Sequence, residues 1–154
     1  MVIDSSAVLA LLFNEPEGDD IEIAVDADPT RLISAASVVE AAIVVEARLG
    51  AAGGREFDLL LHQAGIELVA VTPDQADVAR SAWRRYGRGR HEANLNVGDC
   101  FSYALAMTSG EPLLFTGSDF SRTDVPRVGM AREGPQPHPV TTNHGRRPSP
   151  PPAG

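Results

Sequence analysis

Lysine is absent from this 154-residue chain; all thirteen of its basic residues are arginine. That excludes a phosphate-cradling loop of the G-x-x-x-x-G-K type. Cysteine occurs once, as Cys100, so no internal disulfide and no Cys/His zinc spacing can be built from cysteine pairs. A lone cysteine inside an apolar helical run reads as a small buried hydrophobe. No apolar run approaches the roughly 20 residues that a membrane span needs. Met1-Val2-Ile3-Asp4 has no basic n-region, so no export signal is read there and a cytoplasmic location is expected. There is no G-x-S-x-G nucleophile elbow and no internal repeat.

What is present is enough sequence for one domain with a core, at 43% hydrophobic content. The net charge of −8 argues at first against a nucleic-acid partner. Its distribution softens that argument. Residues 15–28 hold seven acids and no base, whereas residues 80–90 hold Arg80, Arg84, Arg85, Arg88 and Arg90 and no acid. A local basic stripe can hold phosphates on an acidic protein. Trp83, Tyr86 and His91 lie among these arginines, a mixture that suits phosphate binding and base stacking; the plain alternative is a solvated helix end with Trp83 turned inward. His91 reads as a surface histidine rather than a proton shuttle.

Strands alternate with helices. Val2-Ile3-Asp4 reads as a buried strand, followed by a helix over Ala7–Phe13 capped by Ser5 or Ser6. A second helix is expected over Gly18–Asp26, and a strand over Arg31–Ser34. A long helix runs from about Ala36 to Leu49 and stops at Gly50; Gly53-Gly54 separates it from a helix near Arg55–Ala64. Glu67–Val71 reads as the third strand. Thr72 and Pro73 provide a cap and an N1 proline for a helix to about Tyr86. Gly87–Arg90 is a loop, Asn96–Ser109 a helix, Pro112–Phe115 the fourth strand, and Val125–Val128 an edge strand. This order predicts an α/β fold with a mostly parallel sheet covered on both faces. Residues 131–154 carry seven of the twelve prolines and almost no large apolar residue, which reads as a disordered tail.

Four carboxylates fall where these elements should meet. Asp4 closes the first strand, Glu40 lies on the long helix, Asp99 opens the helix containing Cys100, and Asp119 follows the fourth strand. In a parallel sheet the functional crevice lies beyond the carboxyl ends of the strands. Each acid has a plain structural alternative. Asp4 would serve as a helix cap, and Asp119 as a turn residue. Asp99 would complement a helix dipole. Glu40, read among apolar neighbours at Ile43 and Val44, would pair with Arg31. Together they point to one shared site, where like charges demand a divalent cation; hard oxygen ligands suit Mg²⁺ or Mn²⁺, and those metals suit phosphodiester chemistry. Thr116 and Ser118 are candidates to hold water there. Asp124 reads as a capping or supporting acid.

These residues resemble the PIN-domain ribonucleases, and within them the VapC toxins of bacterial toxin–antitoxin pairs. The likeness is carried by Met1–Ala7, by Val38-Val39-Glu40, by Leu95–Ala106 with Asn96 and Asp99, and by Leu113–Asp124 with Asp119, in the family's order and spacing over residues 1 to about 130. It implies a PIN-like three-layer α/β/α sandwich over residues 1–130. It implies an Mg²⁺- or Mn²⁺-dependent endoribonuclease acting by metal-activated water, with Asp4 and Asp99 as main ligands and Glu40 and Asp119 completing the acidic site. Arg84, Arg85, Arg88 and Arg90 would grip RNA phosphates. A VapB-like antitoxin and a second copy of the chain are the implied partners, with no membrane. The RNA stays open, since a tRNA loop and loose single strands need the same acids. Two rivals remain: a non-catalytic PIN-like protein-binding module, and an aspartyl-phosphate phosphohydrolase. The second usually wants an Asp two residues after the nucleophile, where this chain has Ser6.

Overall fold

The computed structural model describes residues 1–129; the expected proline-rich tail lies outside the described residues. The elements run β1 (Val2–Ile3), α1 (Ser5–Leu12), α2 (Gly18–Ala27), β2 (Leu32–Ser34), α3 (Ala35–Gln63), β3 (Glu67–Val69), α4 (Pro73–Tyr86), α5 (Val97–Ser109), β4 (Leu113–Leu114) and a 3-10 turn at Phe120–Arg122. The sheet order is β3-β2-β1-β4, and every pairing is parallel. The expected α/β/α sandwich is observed.

Side chains alternate across a strand, so each two-residue strand feeds two cores. Ile3, Ile33 and Leu114 face a core closed by α1, α2 and α3, through residues such as Val8, Ile21, Val45 and Phe57. Val2 and Leu113 face the opposite core, closed by α4 and α5 through Ala79, Tyr103 and Leu105. The central strands are therefore apolar on both sides, as a covered parallel sheet requires. Among the described residues no helix is long and apolar enough to cross a membrane.

Several expected boundaries shift. Asp4 itself, rather than Ser5 or Ser6, caps α1: its side chain accepts from the Ser6 N–H at 2.9 Å. Gly50 does interrupt α3, at φ +65°, a left-handed conformation that glycine adopts without a Cβ penalty. The helix resumes at once, however, so Gly53 and Gly54 lie within it rather than between two helices. Thr72 and Pro73 open α4 as expected, with Thr72 Oγ1 accepting from the Gln75 N–H at 3.2 Å. The expected edge strand shrinks to a single bridge between Leu113 and Arg127. Pro126 has no N–H to extend the ladder; its carbonyl accepts from Leu113, and Val128 donates back to Leu113.

Candidate functional site

The carboxyl edge of the sheet gathers the acids. Asp4 follows β1, and its N–H continues the ladder by donating to the Leu114 carbonyl at 2.9 Å. Its side chain is 1% exposed. Oδ2 accepts from the Ser6 N–H and, at 2.6 Å, from the Ser6 hydroxyl. Ser6 Oγ in turn accepts from the Thr116 N–H at 3.1 Å, which ties the end of β1 to the loop after β4. Oδ1 is buried and has no hydrogen-bond partner.

Glu40 stands in the second turn of α3, half-buried, with Oε2 accepting from the Ser5 hydroxyl at 3.0 Å. Burial pushes its carboxyl above the usual range against the Ser5 bond, and the Asp4 charge adds to the rise. The neighbours expected to bury it do not: Ile43 is 65% exposed, and the core face of α3 is Ser37, Ala41 and Val45. Arg31 is not its partner either, since that guanidinium donates to the carbonyls of Asp28 and Ala64.

Asp99 sits in the first turn of α5. It forms a reciprocal cap with Asn96: its N–H donates to Asn96 Oδ1 at 2.9 Å, and its Oδ2 accepts from the Asn96 N–H at 2.6 Å. This acid therefore does serve its helix, as the plain alternative held. Yet it is only 8% exposed, and burial pushes its carboxyl up to about 7. The Asn96 N–H opposes that rise, while the charges of Asp4, Glu40 and Asp119 reinforce it. The four acids thus share one electrostatic field. Asp119 is the exposed member, at the start of the 3-10 turn, and its side chain caps nothing.

Two contacts set the spacing between the carrier helices. Ser37 and Ser102, both fully buried, meet Oγ to Oγ at 2.9 Å, one turn from Glu40 and one turn from Asp99. Gly98 lets α5 approach Glu40: a Cβ at that position would overlap Glu40 Oε2. Sequence reasoning gave Ser5, Ser6, Ser37, Gly98 and Ser102 no role in the site. The glycine in the first turn of a helix was the one available signal.

The donor set fits a hard divalent cation. It is all carboxylate oxygen, it includes a buried oxygen with no other partner, and the charges that act on Asp99 among the described residues are all acidic. Among the described residues no three of these groups stand close enough to form a ready-made cage.

The arginines are not equivalent. Arg85 donates to Asp124 Oδ2 at 3.1 Å and lies 4.8 Å over the Tyr86 ring. Asp124 also accepts from the Tyr103 hydroxyl at 2.6 Å, and that bond, with Tyr86 and Arg85 adding, holds it below the usual carboxylate range. Asp124 is thus a structural acid that joins the 3-10 turn to α4 and α5. His91 is also structural, accepting from the Ala93 N–H through Nδ1 and packing edge-on against Tyr86.

The PIN-domain model matches residues 1–126, and the chain belongs to the PIN-domain family. It is 58% identical over 130 residues to ribonuclease VapC30 of Mycobacterium tuberculosis, covering 84% of this chain and 99% of that one. It is 60% identical over 128 residues to ribonuclease VapC of Mycolicibacterium smegmatis, covering 83% and 99%. These identities place it among the VapC ribonucleases of toxin–antitoxin systems. The fold is similar to the crystal structure of M. tuberculosis VapC20, described as a sarcin–ricin-loop-cleaving toxin, with a TM-score of 0.68 at 18% identity over 82% of this chain and 97% of that one.

Proposed function

We propose that Asp4, Glu40, Asp99 and Asp119 form the catalytic centre of an Mg²⁺- or Mn²⁺-dependent endoribonuclease, the toxin of a toxin–antitoxin pair. The observation that carries this reading is Asp4 Oδ1: a buried carboxylate oxygen at the end of β1, held in place through its sister oxygen and left without a partner. Such an atom is costly to bury unless something coordinates it.

Asp4 and Asp99 would hold the metal, with Glu40 and Asp119 ordering water or a second ion. When bound, the ion neutralises the scissile phosphate and lowers the pKa of a water for in-line attack. Ser6 and Asn96 orient the two main carboxylates, and Ser5 orients Glu40. Because burial raises Asp99 to about 7, cation binding there would be coupled to proton release. Arg84, Arg88 and Arg90 would hold the RNA backbone, whereas Arg85 is engaged with Asp124. Family membership supports a VapB-like antitoxin as partner and a cytoplasmic location. The exposed apolar pair Val39 and Ile43 on α3 supports a second copy as the other partner.

The test is cleavage of total cellular RNA by antitoxin-free protein, with Mg²⁺ or Mn²⁺ against EDTA. Discrete fragments with 5′-phosphates, absent in EDTA and in Asp4→Asn, are expected. Intact RNA with either metal would leave the non-catalytic binding module as the reading.

A further inference from the structure

Beside the acids, on the other flank of the first turn of α5, a groove of about 570 Å³ opens between α4 and α5. Its floor is apolar, with half-buried Trp83 and Phe101 and the exposed Val97. Its rim is Arg80, Arg84 and Arg90, and no acid lines it. Arg80 spends its charge only on an exposed pair with Asp77, of little worth in water. Arg84 and Arg90 have no ion-pair partner among the described residues. A hollow of similar size beside α2 has the opposite character: Asp20 and Asp28 line it and no arginine does. Of these two apolar hollows, only the one beside the acids offers a polyanion both a flat aromatic floor and free cations.

We propose that this groove is a nucleobase subsite, in which a nucleotide of single-stranded RNA flanking the scissile phosphate stacks on Trp83 while Arg84 and Arg90 hold its phosphates. This rests on the ribonuclease reading above and deepens it. Cys100, at the groove wall, directly follows Asp99 in the chain, so the first turn of α5 borders both sites. A helix with its side chains is about 10–12 Å across, a span of one or two nucleotides. Base stacking on an aromatic ring accepts any base, and arginines tracking the backbone add salt-dependent grip. The subsite therefore sets how the strand is threaded and demands an unpaired base, whatever sequence is cut.

Trp83 is the single tryptophan of the chain, so its emission reports the groove directly. The probe is a fluorescein-labelled, mixed-sequence hexaribonucleotide, with a fully abasic hexamer beside it. Both are bound to the Asp4→Asn protein in Mg²⁺, with anisotropy and tryptophan emission read together. The base-bearing hexamer is expected to quench Trp83. Trp83→Ala should weaken its binding about 5- to 100-fold, while Trp83→Phe, which keeps a ring, should stay within about threefold of the parent. The abasic hexamer should bind weakly and equally to all three proteins. Three results would overturn the subsite: saturable binding with unchanged emission and affinity, no binding at all, or emission that responds to protein concentration but not to RNA, which would give the groove to a second copy. Wild-type cleavage run in parallel separates the two readings. Cleavage with a silent Trp83 removes only the subsite; quenching without cleavage removes only the catalytic reading.

Discussion

Gly98 and Glu40 are packed so closely across α5 and α3 that one methyl group at 98 would overlap the Glu40 carboxylate. The atom in the way is the end of a flexible side chain, which can swing aside. In a helix, alanine is also favoured over glycine by about 1 kcal/mol. Gly98→Ala should therefore keep or raise the melting temperature while displacing Glu40, and cleavage should fall about 10²-fold, the cost of an ångström-scale misplacement. Thermal melts and initial rates on one preparation check both halves; an unchanged rate would mean that Glu40 has no role in catalysis.

Asp99 ties stability to pH in the metal-free protein. Its folded value of about 7 lies above the ordinary value of 3.8, so between these the folded state binds the extra proton. Stability from this group falls as pH rises from about 4 to 7, and the loss persists above that. Asp99→Asn keeps an oxygen for the Asn96 N–H and removes the charge. In EDTA at pH 8 it should be more stable than wild type by roughly 1–3 kcal/mol, with the advantage gone near pH 4. Denaturant titrations at the two pH values measure this; an equal advantage at both would locate the gain outside titration.

Asp4 caps α1 and, in the proposed centre, would also hold the ion; substitutions separate these two duties. Asp4→Ala removes the cap of α1 and should cost about 1 kcal/mol. Asp4→Asn retains an acceptor for Ser6 and should melt near wild type. Both should lose metal-dependent cleavage by at least about 10²-fold. If Asp4→Asn cleaves at the wild-type rate, the unpartnered oxygen is not a ligand.

The arginines should divide by their partners. Replacing Arg84 or Arg88 with alanine should flatten the salt dependence of RNA binding by about 0.7 in slope for each phosphate that is no longer neutralised. Arg85→Ala should leave the slope nearly unchanged, because its charge is already matched by Asp124. An Arg85 effect as large as that of Arg84 would move the RNA path toward the 3-10 turn.

The sheet, and the position of Asp4 at the end of its first strand, were legible because each rests on short-range signals. The apolar run Val2-Ile3 ends in a carboxylate, and the Thr72-Pro73 and Asn96 starts have local chemistry. What was not legible depends on partners far along the chain. Ser5 reaches Glu40 across 35 residues, and Ser6 reaches Thr116 across 110. Nothing within a window around Arg85 says that it will meet Asp124. The Val125–Val128 strand failed for a local reason, the missing N–H of Pro126, that its apolar pattern concealed. The surroundings of Glu40 differ from those expected: the Ser5 hydroxyl and the bare Gly98 lie against it, not Ile43.

If Asp4 is both the cap of α1 and a member of the proposed centre, a genetic consequence follows. In a population selected to silence this protein, changes at Asp4 that remove its oxygens also loosen the first helix by about 1 kcal/mol and invite degradation, so they leave less inert protein behind. Silenced yet abundant forms should instead arise at Glu40 and Asp119, which cap nothing, or through the single amide exchange at Asp4. Those survivors would be the more abundant ones left to occupy an antitoxin, and so to withdraw it from an active sibling copy.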